Sequence, residues 1–147
     1  MNSKLTKQLS KSIANYGRMG IRIEILEQGV DTVKVIVVQE KTPNGYFMNQ
    51  KQLVERVKEV FKPTGLKTNV IPVLYSLDVS TITPLWIEDR MKEFGINRKD
   101  LLRQLAIDKS NLSLMLNSKR KMNKEIKSAF YYYFLVYQLN RDLRENI

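Results

Sequence analysis

The feature that most constrains this sequence is a change in hydrophobic pattern about halfway along the chain. Residues 1 to about 75 alternate between segments with helical spacing of apolar residues and segments with the two-residue period of a strand. From Ile82 onward only helical spacing occurs. The stretch 76–83 is polar and β-branched, as is typical of a linker. The pattern predicts an α+β protein with a small domain over 1–77 and an all-α domain over 82–147.

The first half has the predicted element order α-β-β-α-β. A helix over 3–16 is followed by strands over 21–25 and 33–38, which should pair as a hairpin. Asn49 caps a second helix that ends at Phe61, and a last strand spans 70–75. Pro72 lacks the N–H that a central strand needs, so that strand should lie at a sheet edge or carry a bulge. We expect the helices to pack on one face of the sheet.

The charge balance favours a polyanionic partner. The chain has 25 Lys and Arg against 15 Asp and Glu, a formal net charge of +10, and each phosphate that a basic side chain neutralises releases condensed counterions. The sequence has no cysteine and no histidine, which excludes disulfides, zinc fingers and Cys or His nucleophiles. We expect no cofactor, no metal site, no membrane span and a cytoplasmic location.

The second half predicts four helices, the first three opened by a capping residue. Thr83 precedes a proline at the first helical position, Asn97 and Asp108 begin the next two helices, and a long final helix starts near Asn123. The final helix contains five consecutive aromatic residues, 130–134, which wrap its whole circumference. One side should therefore pack against the first helix of this bundle, and the other against the N-terminal domain or a second copy.

Residues 95–113, Gly-Ile-Asn-Arg-Lys-Asp-Leu-Leu-Arg-Gln-Leu-Ala-Ile-Asp-Lys-Ser-Asn-Leu-Ser, resemble the helix-turn-helix of the Xre/Cro family of phage and bacterial repressors. The loop 117–121, Asn-Ser-Lys-Arg-Lys, is similar to the Asn-Gly-Lys-Arg loop of that family. The resemblance covers about 55 residues, from Ile87 to Leu143. Ala106 replaces the turn glycine, where a positive φ would cost about 1 kcal/mol. Leu114 stands where family members often place a polar base-reading residue.

The resemblance implies a recognition helix over 109–117 that enters the major groove of duplex DNA. Asn111 could pair with adenine and Lys109 with guanine. The residues expected to face the bases are Lys109, Ser110, Asn111, Ser113, Leu114 and Asn117. The residues expected to contact phosphates are Arg98, Lys99, Lys119, Arg120 and Lys121.

The resulting functional prediction is a DNA-binding, prokaryotic or phage transcriptional regulator of Xre/Cro type that acts as a homodimer. The rival interpretation is a non-enzymatic interaction protein, such as a phage or mobile-element assembly factor. Four carboxylates of the first half could hold Mg²⁺ in a nuclease site. Glu24, Glu27 and Asp31 alternate with apolar residues, as is typical of the solvent face of a hairpin, so we expect no enzyme and no catalytic residue. The four carboxylates are Glu24, Glu27, Asp31 and Glu40.

The N-terminal domain carries no recognisable motif. Residues 1–75 contain twelve basic and six acidic residues, a net charge of +6, so the basic excess is not confined to the helix-turn-helix. This leaves three roles open for the domain: dimerisation, an auxiliary nucleic-acid contact, or docking of a protein partner.

Overall fold

In a computed structural model that describes residues 3–145, the chain divides into two units between Ser76 and Leu77. The α+β class predicted from the sequence is confirmed. The first unit follows the predicted order, with short 3-10 turns at Pro43–Gly45 and Lys62–Thr64. Its elements are α1 (Ser3–Arg18), β1 (Ile21–Gln28), β2 (Thr32–Gln39), α2 (Gln50–Phe61) and β3 (Lys67–Val73).

The sheet of the first unit has the order β1-β2-β3. β1 pairs antiparallel with β2, as the predicted hairpin requires, and β3 pairs in parallel with β2. The edge position of the strand that contains Pro72 is confirmed. Its predicted bounds are wrong: β3 begins at Lys67 and ends at Val73, because the polar residues 67–69 pair with residues 32–34 of β2.

The core of the first unit lies between the sheet and the two helices. Val35 and Val37 of β2 and Leu53 and Val57 of α2 have no exposed surface. Alternate residues of β2 on the opposite face are more exposed, as expected for a sheet that helices cover on one side.

Gly20 fixes the connection between α1 and β1. Its φ is +81°, and its carbonyl accepts hydrogen bonds from the backbone N–H groups of Glu40 at 2.8 Å and Lys41 at 3.2 Å. A Cβ at this position would lie 2.6 Å from Cβ of Lys41. Only glycine therefore fits this close approach of two backbones.

The second unit consists of a 3-10 turn at Val79–Thr81 followed by four helices. Thr83 accepts a hydrogen bond from the N–H of Trp86, so this predicted cap is confirmed. Asn123 accepts one from the N–H of Ile126 at the start of the last helix. Ile87, Leu101 and Phe130 are fully buried in a separate core. The helices are α3 (Pro84–Phe94), α4 (Arg98–Gln104), α5 (Lys109–Leu116) and α6 (Lys124–Glu145). None of the helices within residues 3–145 combines the length and the apolar character needed to cross a bilayer.

Candidate nucleic-acid interface

α4 begins with a complete capping box. Asn97 Oδ1 accepts a hydrogen bond of 3.0 Å from the N–H of Asp100, and Asp100 Oδ2 accepts one of 3.0 Å from the N–H of Asn97. The Asp100 carboxylate thus lies against the positive end of its own helix, where its charge is stabilising. It is held at the cap and not presented to a ligand.

The turn between α4 and α5 depends on a left-handed residue. Ala106 has a φ of +53°, the conformation that glycine adopts without strain and that costs other residues about 1–2 kcal/mol. Asp108 then caps α5 and accepts a hydrogen bond of 2.8 Å from the N–H of Asn111. Four residues therefore separate two short helices, as in a helix-turn-helix.

α5 has a buried side and an exposed side. Leu112, Met115 and Leu116 are each at most 6% exposed and pack into the core of the second unit. Successive residues of an α-helix are rotated by about 100° around its axis. On this basis four polar residues of α5 share one exposed face that is about 100° wide. These residues are Lys109, Ser110 and Asn117, which are exposed, and Ser113, which is half-buried. Half-buried Leu114 borders this arc.

Asn111 is placed differently from the other predicted base-reading residues. It lies about 200° around the helix from Lys109 and is half-buried. Its side-chain amide donates a hydrogen bond of 2.6 Å to Asp108 Oδ2. A bidentate contact with adenine needs one N–H and the carbonyl oxygen of an Asn amide. One of the two amide hydrogens of Asn111 is already given to Asp108, and the side chain lies outside the arc that carries Lys109 and Ser110.

The loop after α5 exposes three basic side chains in succession. Ser118 has a φ of +60°, and Leu114 O accepts hydrogen bonds from the N–H groups of Lys119 at 2.8 Å and Arg120 at 3.1 Å. These bonds satisfy a carbonyl at the end of the helix. Lys119, Arg120 and Lys121 are consequently held at the surface after α5, and Arg120 and Lys121 line an open cleft together with Asn111 and Met115.

An open cleft joins this loop to the first turn of α3. Thr83 and Pro84 line it on one side and the three basic residues of the loop on the other, together with Lys127 of α6. Sequence reasoning missed Lys127, because the aromatic run dominates the pattern of α6. Four cations next to a helix N-terminus create a positive potential that suits a phosphate group.

Arg98 and Lys99 lie in the first turn of α4, and both are exposed. Arg98 Nη2 is 3.9 Å from Glu88 Oε1, a long contact between side chains that are 49% and 45% exposed. An exposed pair of this kind contributes little to stability, so the Arg98 guanidinium can turn toward a phosphate at small cost.

The aromatic residues of α6 anchor the other end of α4. Gln104 Oε1 accepts hydrogen bonds from the hydroxyl of Tyr133 and, at 3.1 Å, from that of Tyr137. Burial, and next the hydrogen bond with Tyr137, raise the pKa of the Tyr133 hydroxyl. These contacts fix the last residue of α4 immediately before the turn that orients α5.

The run 130–134 points in several directions, as its length predicted. Phe134 contacts Trp86 of α3 with ring centroids 5.6 Å apart, and Phe130 is fully buried. Tyr132 faces outward and is 36% exposed. The prediction that one side packs against the first helix of the bundle is therefore confirmed.

In the first unit, Arg22 engages two of the carboxylates considered for Mg²⁺ binding. Its Nη1 is 2.7 Å from Glu24 Oε1, and its Nε is 2.6 Å from Glu40 Oε1. Across the described residues, no group of three or more acidic side chains is arranged to hold a metal ion.

Comparison of the chain with protein-family models, with curated proteins and with solved structures finds no match.

Proposed function

We propose that this protein binds duplex DNA through its second unit, with α5 as the recognition helix in the major groove. The observation that carries the proposal is the exposed polar side of α5, which exposed basic residues precede and follow in the chain. Arg98 and Lys99 precede it, and the loop 119–121 follows it. Polar side chains can read base edges in a major groove, and basic side chains on neighbouring segments can contact the phosphates.

Base contacts are assigned to the exposed side of α5. Lys109 can donate to guanine O6 and N7, Ser110 and Ser113 can donate to or accept from any base edge, and Leu114 can contact a thymine methyl group. Asp100 and Asp108 do not oppose this docking, since both carboxylates are held by the helix ends that they cap. Asn111 acts with Asp108 in forming the first turn of α5.

The protein acts as a homodimer in this proposal, because one short recognition helix reads only a few base pairs. A stripe along the outside of α6 supports a second copy as the partner. Its residues follow alternating spacings of three and four, the pattern of a two-helix seam. They are Ala129, Tyr132, Val136, Leu139 and Leu143, of which Val136 is 55% and Leu143 is 65% exposed.

A substitution in this stripe tests the dimer. Val136→Glu would place a charge in the seam, whereas Gln138→Glu adds the same charge about 200° away around the helix. We expect sedimentation at tens of micromolar to show a dimer for the wild type and Gln138→Glu, and a monomer for Val136→Glu. A monomeric wild type with and without DNA contradicts the homodimer.

Selection from random duplex DNA by the full chain, at about 150 mM salt, tests the function itself. We expect a motif to be enriched, in the form of a palindrome with half-sites about one helical turn apart. Retention of all sequences alike would contradict base readout. No retention would make the rival function, a protein-interaction or assembly factor, the better explanation of the apolar stripe on α6.

Two variants distinguish the loss of base readout from the loss of positive charge. The double substitution Lys109→Ala and Ser110→Ala should abolish the preference for the selected motif. Lys92→Ala removes an equally exposed positive charge from α3 and should leave the preference unchanged. The assignment as a prokaryotic or phage transcriptional regulator rests on the resemblance to the Xre/Cro family.

A further inference from the structure

The first helix of the first unit carries an uninterrupted stripe of positive charge. Lys4, Lys7, Lys11 and Arg18 are all exposed, and at about 100° per residue they fall within an arc of about 60°. Three of them recur every seven residues, about 10 Å apart along the axis. The stripe therefore runs along nearly the whole length of α1.

No acidic side chain compensates this charge. α1 contains no Asp or Glu, and across residues 3–145 none of the four basic residues forms an ion pair with a carboxylate. Arg18 Nη1 instead donates a hydrogen bond of 2.6 Å to Asn15 Oδ1. α2 differs, because Glu55 and Glu59 lie among its basic residues.

The stripe also acts against the stability of its own helix. Lys4 lies in the first turn, at the positive end of the helix dipole, where acidic residues are favourable, whereas Arg18 in the last turn is favourably placed. Lys7 and Lys11 are a like-charged pair four residues apart, which destabilises a helix. A bound polyanion would reverse both effects, and surfaces that oppose local stability are expected at functional positions.

The opposite side of α1 indicates which polyanion fits. Leu9 is 6% exposed and lies in the core of the first unit, with Leu5, Ile13 and Tyr16 half-buried along the same side. An amphipathic helix that inserts into a membrane needs its apolar side free to enter the lipid, and here the core occupies it. The accessible part is a line of cations about 10 Å apart, which can lie along the densely charged phosphate backbone of DNA, with about one charge per 1.7 Å of duplex.

We propose that α1 is a second DNA contact, which binds the phosphate backbone of the duplex and reads no base. This contact does not depend on α5, so it goes beyond the proposed function of the second unit. It gives the positive charge of the first unit a defined location and a partner.

The test uses the full chain and a labelled duplex of about 30 base pairs with a scrambled sequence. The triple variant Lys4→Gln, Lys7→Gln and Lys11→Gln removes three charges of the stripe. The matched control Lys51→Gln, Lys58→Gln and Lys67→Gln removes three exposed charges from α2 and β3. Circular dichroism establishes that both variants are folded.

We expect the stripe variant to raise the dissociation constant at least about tenfold at 0.1 M salt. It should also reduce the slope of log affinity against log salt by about 0.9 per lysine. The control should change neither quantity appreciably. Equal losses of DNA affinity in the stripe variant and the control would show that binding depends only on net charge, and would overturn the proposal. So would an unchanged slope in the stripe variant, or loss of binding to vesicles containing phosphatidylserine without loss of binding to DNA.

The test of α1 can be distinguished from the test of base readout by α5. Loss of the stripe should weaken binding to a selected motif and to the scrambled duplex by the same factor, because phosphate contacts carry no sequence information. Substitutions on α5 should change the ratio of the two affinities. If no motif can be selected at all, the slope measured on scrambled DNA still decides the role of α1.

Discussion

Asp108 and Asn111 are joined by two hydrogen bonds at the start of α5. The backbone N–H of Asn111 donates to Asp108 Oδ1 at 2.8 Å, and its side-chain amide donates to Oδ2 at 2.6 Å. Both carboxylate oxygens of the cap are thereby used within the first turn. The pair orients the helix that carries the candidate base contacts, so it belongs to the scaffold of the interface.

Asn111→Ala should accordingly affect stability more than DNA binding. Loss of the side-chain hydrogen bond should lower the free energy of unfolding by about 0.5–1.5 kcal/mol, with DNA affinity changed by less than about threefold. Lys109→Ala should lower affinity for the selected motif by about tenfold or more, since a good base contact contributes about 1–3 kcal/mol. Urea unfolding and fluorescence anisotropy measure the two quantities. Equal losses of affinity in both variants would indicate that Asn111 contacts a base directly.

The left-handed residues on either side of α5 predict two stabilising substitutions. Ala106→Gly and Ser118→Gly should each raise the stability of the second unit by roughly 0.5–1 kcal/mol, because strain of about 1–2 kcal/mol is relieved and part of it is offset by the flexibility of glycine in the unfolded chain. Trp86, the single tryptophan, reports unfolding of this unit by fluorescence.

Gln138→Gly is the control for these substitutions. It introduces glycine at an exposed position within α6 and outside the apolar stripe, where the backbone is helical, and it should destabilise the protein by roughly 0.5–1 kcal/mol. If Ala106→Gly were as destabilising as Gln138→Gly, Ala106 would not have a left-handed backbone.

The raised pKa of Tyr133 predicts a dependence of stability on alkaline pH. A hydroxyl whose pKa is higher in the folded state than in the unfolded state favours folding while it is protonated. Its contribution is complete below the unfolded pKa of about 10 and is lost as pH rises above that value. Urea unfolding of Tyr133→Phe, followed through Trp86 from about pH 8 to pH 11, should therefore show a smaller decline than the wild type. Parallel declines would exclude this role for Tyr133.

Lys127 should behave as a phosphate contact if the cleft beside α3 binds the DNA backbone. Lys127→Gln should reduce the slope of log affinity against log salt by about 0.9, as Lys121→Gln should. Lys124→Gln removes an exposed charge one turn earlier in α6, from a residue that does not line the cleft. A slope that responds equally to Lys124→Gln and Lys127→Gln would argue against a specific phosphate position.

Local signals in the sequence were sufficient for most of the helices. Thr83, Asn97 and Asp108 each precede an apolar periodic segment, and each makes the capping hydrogen bond that this position predicts. The strands β1 and β2 follow directly from alternation and β-branching. These features depend on residues within a few positions of each other, which is why a single sequence reveals them.

Features that depend on distant residues were not predictable in the same way. The start of β3 is polar and becomes a strand only because it pairs with β2 about 35 residues earlier. Lys127 approaches the loop 119–121 only after α6 has packed on the bundle. The contact of Asn111 with Asp108 is local, yet the spacing of residues does not show that the Asn111 amide hydrogen-bonds to the cap of its own helix.

Pro72 has a consequence for how copies of this chain can meet. It occupies the edge strand of the sheet, opposite Val37 of β2, and it contributes no N–H to the free side of that strand. Strand-by-strand growth of a sheet into a fibre requires a continuous ladder of backbone donors, which this edge does not offer. The proline thus makes the β3 edge a poor template for amyloid-type growth, and the opposite edge, β1, is interrupted by an irregularity between Ile25 and Glu27.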